Sequence, residues 1–132
     1  HMINPSTPQI SYERLAKIFK VLTHPARVAI LSLLRDGEQC VCHLVACLDY
    51  PQPYISQQLG VLREAEIVQD RREGWNIYYR VIDPHVLALL DAVEEIVDQE
   101  PIRIHIRKDQ CTCPKCSAKK MKDKVFITEE LN

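Results

Sequence analysis

The chain has 132 residues, with 17 lysines and arginines against 18 aspartates and glutamates and a formal net charge of −1. That length suits one compact domain with a modest core and a tail, and the balanced charge excludes a strongly basic coat while leaving room for a local basic surface. No apolar run approaches the roughly 18 residues of a membrane span and no signal-like segment opens the chain, so the expectation is a cytoplasmic protein with no membrane partner. The opening His1-Met2 reads as a tag remnant before a native start at Met2. The six cysteines recur at C-x-C and C-x-x-C spacings, which in such a chain point to metal or redox chemistry.

Residues 1–10 carry Pro5 and Pro8 and are expected to form a flexible arm. Ser11 is a candidate N-cap, and Leu15, Ile18, Phe19 and Leu22 follow at helical spacing. His24-Pro25 restarts the chain with proline at the first helical position, and Ala26, Ala29, Ile30, Leu33 and Leu34 line a second helix that stops at Asp36-Gly37. A third helix spans about residues 40 to 48. On a wheel of about 100° per residue, Val41, Leu44, Val45 and Leu48 share an apolar arc. Cys40, His43 and Cys47 share the adjacent arc, and Cys42 falls on the other flank.

After Tyr50-Pro51-Gln52-Pro53 a fourth helix runs to about Ala65. It turns Ile55, Leu59 and Leu62 inward, with Gln58 at the margin. Its outer face shows Tyr54, Ser56, Gln57, Gly60 and Val61, with none of the Lys and Glu that usually fill a solvent face. Residues 67–72 and 75–81 read as strands around a Glu73-Gly74 turn, with Trp75, Ile77, Tyr79 and Val81 on one side and Asn76, Tyr78 and Arg80 on the other. Arg71 and Arg72 sit near the tip of this hairpin. A fifth helix runs from Asp83-Pro84 to about Gln99, with an apolar stripe so wide that a second copy of the chain is expected to cover it. Residues 100–132 form a tail with Cys111, Cys113 and Cys116.

Four helices, a hairpin and a helix is the order of a winged helix-turn-helix: mainly α with a β-hairpin wing, the third and fourth helices forming the DNA-reading pair. Gln52, Tyr54, Ser56 and Gln57 are candidates for contact with base edges and backbone. Arg71, Arg72, Asn76 and Arg80 are candidates on the wing, its arginines meeting phosphates of double-stranded operator DNA.

Over about residues 11 to 99 the chain resembles the ArsR–SmtB family of metal-responsive bacterial repressors. The resemblance is carried by Leu22-Thr23-His24-Pro25-Ala26-Arg27, by Cys40-Val41-Cys42-His43-Leu44, by Ile55-Ser56-Gln57-Gln58-Leu59 with Leu62-Arg63-Glu64-Ala65, and by Arg72-Glu73-Gly74 with Tyr78-Tyr79-Arg80. It implies a homodimer held by the first and last helices, and operator binding that an inducer releases. Two positions depart from the family pattern: Gln58 stands where a histidine is common, and Glu66 where a glycine often follows the Glu-Ala pair.

The resemblance implies several inducer sites to test. The zinc site of the last helix would need Asp83 and His85 from one subunit and ligands at positions 96 and 99 from the other. Ile96 cannot ligate, so that site is expected to be absent. The site of the third helix matches Cys40 and Cys42. Side chains at i and i+2 diverge within a helix, but they converge if Cys40 takes a cap conformation, where the positive helix end also favours thiolates. Cys111, Cys113 and Cys116 would complete an all-sulfur site, with Cys47 and His43 as second-rank ligands. Three or four thiolates suit As(III) or Sb(III), and equally Cd(II), Pb(II) or Zn(II). Three other readings use the same residues: a redox- or sulfide-responsive repressor, a structural zinc in the tail, and a thiol oxidoreductase built on Cys113-Pro114-Lys115-Cys116. The last lacks the βαβ setting such enzymes need, so no catalytic residue is expected.

Overall fold

A computed structural model describes residues 11–97 of the chain. The amino-terminal arm and the tail with Cys111, Cys113 and Cys116 lie outside the described residues.

Helix α1 (Tyr12–Leu22) starts where the Ser11 hydroxyl accepts the Arg14 amide, at 3.3 Å. That contact satisfies one of the amides a helix start leaves unpaired. Helix α2 (Pro25–Leu33) has proline in its first turn and tightens into a 3-10 turn, Leu34–Asp36. Gly37 then reverses the chain at φ 124°, a region that favours glycine. A two-residue strand, β1 (Gln39–Cys40), leads into α3 (Val41–Cys47), and α4 (Gln52–Glu64) follows. Strands β2 (Val68–Glu73) and β3 (Asn76–Val81) form the wing, and α5 (His85–Val97) closes the described chain.

The core lies among α2, α3, α4 and the foot of the wing, where Ile30, Leu31, Leu44, Ile55, Leu59 and Leu62 are fully buried. Helix α4 ends in a reversal in which the Ile67 amide reaches back to the Leu62 carbonyl at 3.0 Å. Glu66 sits at this reversal with φ 60°. The position adopts the left-handed conformation that favours glycine although a glutamate occupies it. Among the described residues no helix is long and apolar enough to cross a membrane.

Several expectations are corrected. Strand β1 was not anticipated; it pairs with β3, giving a sheet of order β1-β3-β2. As a result β3 is central, and its two faces do not divide into a wet and a dry side. Tyr78 and Tyr79 are both buried, because Tyr78 pairs with and packs against Cys40. Trp75, expected inside, is fully exposed. Glu73 pairs with Asn76, so the two-residue turn is Gly74-Trp75 rather than Glu73-Gly74. Finally, α4 begins one residue before Pro53, inside the expected turn, with proline again in the first helical turn.

Candidate functional site

The cysteine helix begins with a cap made of sulfur. Cys40 has extended backbone (φ −77°, ψ 155°), and its Sγ accepts the His43 amide at 3.1 Å. This non-helical residue swings its side chain toward Cys42, and the two form a disulfide with Cα atoms 5.3 Å apart. The convergence depends on the cap, since two residues inside α3 at the same spacing would point apart. Cys40 is buried beneath Tyr78, whereas Cys42 is half-buried beside Ala46. One turn on, His43 Nε2 lies 3.5 Å from Cys47 Sγ, both groups buried. The edge that the helical wheel assigned to Cys40, His43 and Cys47 therefore faces the interior. Only Cys40 and Cys42 meet at a surface.

That surface is a groove of about 590 Å³ between α3, α4 and the wing, lined by Cys40 and Cys42 and also by Gln52, Ser56 and Asn76. Gln52 and Ser56 lie one turn apart on α4, and Asn76 opens β3. Gln57 is exposed beside them. Tyr54 is half-buried, its ring 5.1 Å from that of Tyr50 and 6.2 Å from that of His24, so it packs more than it projects.

On the wing, Arg72 is exposed and has no ion pair among the described residues. Arg80 is exposed and donates to Gln69 Oε1 at 2.5 Å. Arg71 differs from both. It donates to both Glu38 carboxylate oxygens, at 2.5 and 3.1 Å, and to Glu73 at 2.8 Å, with its guanidinium 4.7 Å from the centre of the Tyr78 ring. Glu38 first, then Glu73, hold this guanidinium in its charged form still more firmly than usual.

Two residues outside the candidate contacts support α4. Gln58, expected at the margin, is buried and accepts the Arg27 Nε proton at 2.8 Å. Arg27 also donates to the Val21 carbonyl at 3.0 Å, so one guanidinium on α2 ties the end of α1 to α4. The spacing of Arg27 from Pro25 was visible in the sequence, but a partner 31 positions away carries no periodic signal.

The donor set fits a thiophilic ion in part. Cys40 and Cys42, once reduced, offer two soft ligands at one point, and among the described residues no group of three or more His, Cys, Asp or Glu could hold a metal ion. The pair Asp83 and His85 serves another purpose: Asp83 Oδ1 accepts the His85 amide at 2.9 Å and lies 2.6 Å from His85 Nδ1, at the start of α5. Ile96 is exposed on the same helix.

Residues 24–70 match the bacterial regulatory protein, arsR family. Among curated proteins the chain is similar to the biofilm growth-associated repressor of Agrobacterium fabrum, 46% identical over 62% of this chain and 70% of that one. It is also similar to an arsenic resistance transcriptional regulator of Pseudomonas putida, 36% identical over 79% of this chain and 82% of that one. Among solved structures, a homodimeric winged helix-turn-helix DNA-binding domain from Mycobacterium bovis superimposes with a TM-score of 0.60, at 30% identity over 66% of this chain and 81% of that one. Such relatives are DNA-binding regulators rather than enzymes. Three core helices, a paired wing and these likenesses lead to one conclusion: the chain belongs to the arsR family of winged helix-turn-helix transcriptional repressors.

Proposed function

We propose that this repressor binds operator DNA as a homodimer and is released when a thiophilic metal or metalloid binds the thiolates of Cys40 and Cys42. The observation that carries this reading is the convergence of Cys40 and Cys42 at the start of α3, in the groove that also holds Gln52, Ser56 and Asn76. Two thiolates leave a coordination site incomplete; Cys111, Cys113 and Cys116 are the proposed source of the third and fourth. Candidate inducers are As(III) or Sb(III), which three thiolates satisfy, and Cd(II), Pb(II) or Zn(II), which accept four. An ion bound there would sit between the helix that supports α4 and the wing. Its effect on DNA affinity would be of the usual allosteric size, about 1–3 kcal/mol.

In this reading Gln52, Ser56, Gln57 and Asn76 face the DNA bases and backbone, with Arg72 and Arg80 on the phosphates. Dimerisation through α1 and α5 is supported by their apolar faces: Tyr12, Leu15 and Phe19 on α1 and Val93, Ile96 and Val97 on α5 are all exposed. A lone chain rarely leaves so much apolar surface open.

The Cys40–Cys42 disulfide favours a second reading, in which oxidation of the pair is itself the signal. Two thiols would give up two protons and two electrons to an oxidant such as peroxide, which is reduced to water.

An operator-release titration separates the two. Reduced protein on fluorescent operator DNA is titrated with arsenite, Cd(II), Pb(II), Zn(II) and peroxide, alongside a Cys40→Ser/Cys42→Ser variant. The metal reading expects release of the native protein by one or more ions and none of the variant, which still binds DNA. Release by peroxide alone selects the disulfide reading, and an unchanged response of the variant moves the site elsewhere.

A further inference from the structure

The thiol pair and the wing are joined by contacts that neither DNA binding nor inducer binding accounts for. Glu38 stands two residues before Cys40, at the entry to β1, a strand too short to absorb a shift. Strand β1 pairs only with β3, Gln39 opposite Tyr79 and Cys40 opposite Tyr78. On the other side of β3, Arg71 of β2 is the partner of Tyr78. The guanidinium of Arg71 then passes over the Tyr78 ring to grip both oxygens of Glu38. Cys40, Tyr78, Arg71 and Glu38 thus close a ring of contacts across all three strands. A change in the Cys40 side chain displaces Tyr78 or β1, and Arg71 holds both.

The ion pair is also better made than its neighbour. It is two-pronged, between Arg71 at 49% and Glu38 at 24% side-chain exposure, whereas the single contact from Arg63 of α4 to Asp70 of β2 spans 3.6 Å between side chains 48% and 41% exposed. Two-pronged arginine–carboxylate pairs fix geometry as well as charge. Glu73, beside the turn, accepts a hydrogen bond from the remaining nitrogen of the same guanidinium at 2.8 Å, so Arg71 links Glu38 to the tip end of β2.

We infer that Glu38 is a positioning residue that transmits the state of the Cys40–Cys42 pair to the wing through Arg71 and Tyr78. Without it, the pair still forms and breaks, but the wing no longer follows. The inference rests on the reading that this pair governs operator binding.

The test changes the state of the pair with a chemical oxidant, so the natural inducer need not be known. The full chain, with Cys111, Cys113 and Cys116 replaced by serine, is compared after reduction with dithiothreitol and after oxidation with diamide. Diamide takes two electrons and two protons from the thiols as its N=N bond becomes a hydrazine, and a thiol count shows the loss of two per chain. The readout is the ratio of operator dissociation constants between the two states. With Glu38 present the ratio is expected to be at least about fivefold. In Glu38→Gln and Arg71→Gln it is expected to fall below about twofold, and the double variant to do no worse than either single one. Thiol loss and melting temperature should stay near those of the parent, which a merely structural role of the pair would not explain. A parent ratio near one overturns this inference together with the reading of oxidation as the signal, while the metal reading is decided by the operator-release titration. A normal parent ratio that both variants retain overturns the inference alone.

Discussion

Helix α4 is less apolar than α1 or α5, yet it is the one whose apolar face the single chain buries. In α4, Ile55, Leu59 and Leu62 are fully buried within one chain. In α1 no residue is buried, and in α5 only Leu90 is, although both helices carry long apolar stripes. The monomer covers the apolar face of α4 and leaves those of α1 and α5 open. In the proposed reading, DNA contact and assembly are therefore separable, and substitutions should affect one without the other.

The largest separation is expected from Phe19→Asp. In a two-fold dimer the change counts twice, and each lost apolar contact is worth about 1.5–3 kcal/mol. The dimer dissociation constant should rise by at least about a hundredfold, measured by sedimentation equilibrium, while helical content per chain is kept. A variant that remains dimeric would end the assignment of α1 to the interface.

Leu59→Ala acts on the closed region instead. Deleting a fully buried leucine typically costs about 2–5 kcal/mol, so chemical denaturation should show a large loss of stability. Its dimer interface should be unaffected where folding persists.

Arg27→Met strikes the bridge between the two regions. It removes both hydrogen bonds and leaves the buried Gln58 carbonyl unpaired, a loss of about 1–3 kcal/mol. Because Arg27 joins the end of α1 to α4, operator affinity should weaken in gel-shift titrations although neither residue is among the proposed DNA contacts. Operator affinity that survives intact would show that α4 needs no such tie.

The smallest effect lies at the start of α5. The His85 amide, and then its side chain, hold the Asp83 carboxyl below its ordinary value of 3.8. A depressed carboxylate lends stability that is present above the unfolded value and is lost as pH falls through the lower folded one. Asp83→Asn should therefore remove a small stabilisation at neutral pH, leave strongly acid pH nearly unchanged, and so flatten the acid limb of the stability curve below about pH 4.

Much of this was legible beforehand for reasons that differ by element. The helices of the core announce themselves through 3.6-residue periodicity, and Ser11, Pro25 and Gly37 mark their ends by backbone chemistry. The order of the elements indicated the winged architecture, and a cap position for Cys40 indicated its convergence with Cys42. What escaped is what depends on partners distant in sequence. Strand β1 is two residues long, too short for any period, yet it buries Tyr78 and makes β3 central. Glu38 and Gln58 each meet an arginine more than thirty positions away, and no spacing rule names such a partner.

The fully exposed Trp75 has a practical consequence. It is the single tryptophan of the chain, it sits in the wing turn, and it borders the groove shared with Cys42 and Asn76. An indole already in water changes its emission little when the protein unfolds, so intrinsic fluorescence is a poor gauge of stability here. The same indole becomes a label-free reporter of the wing, responding when DNA or an ion enters that groove while the core stays silent.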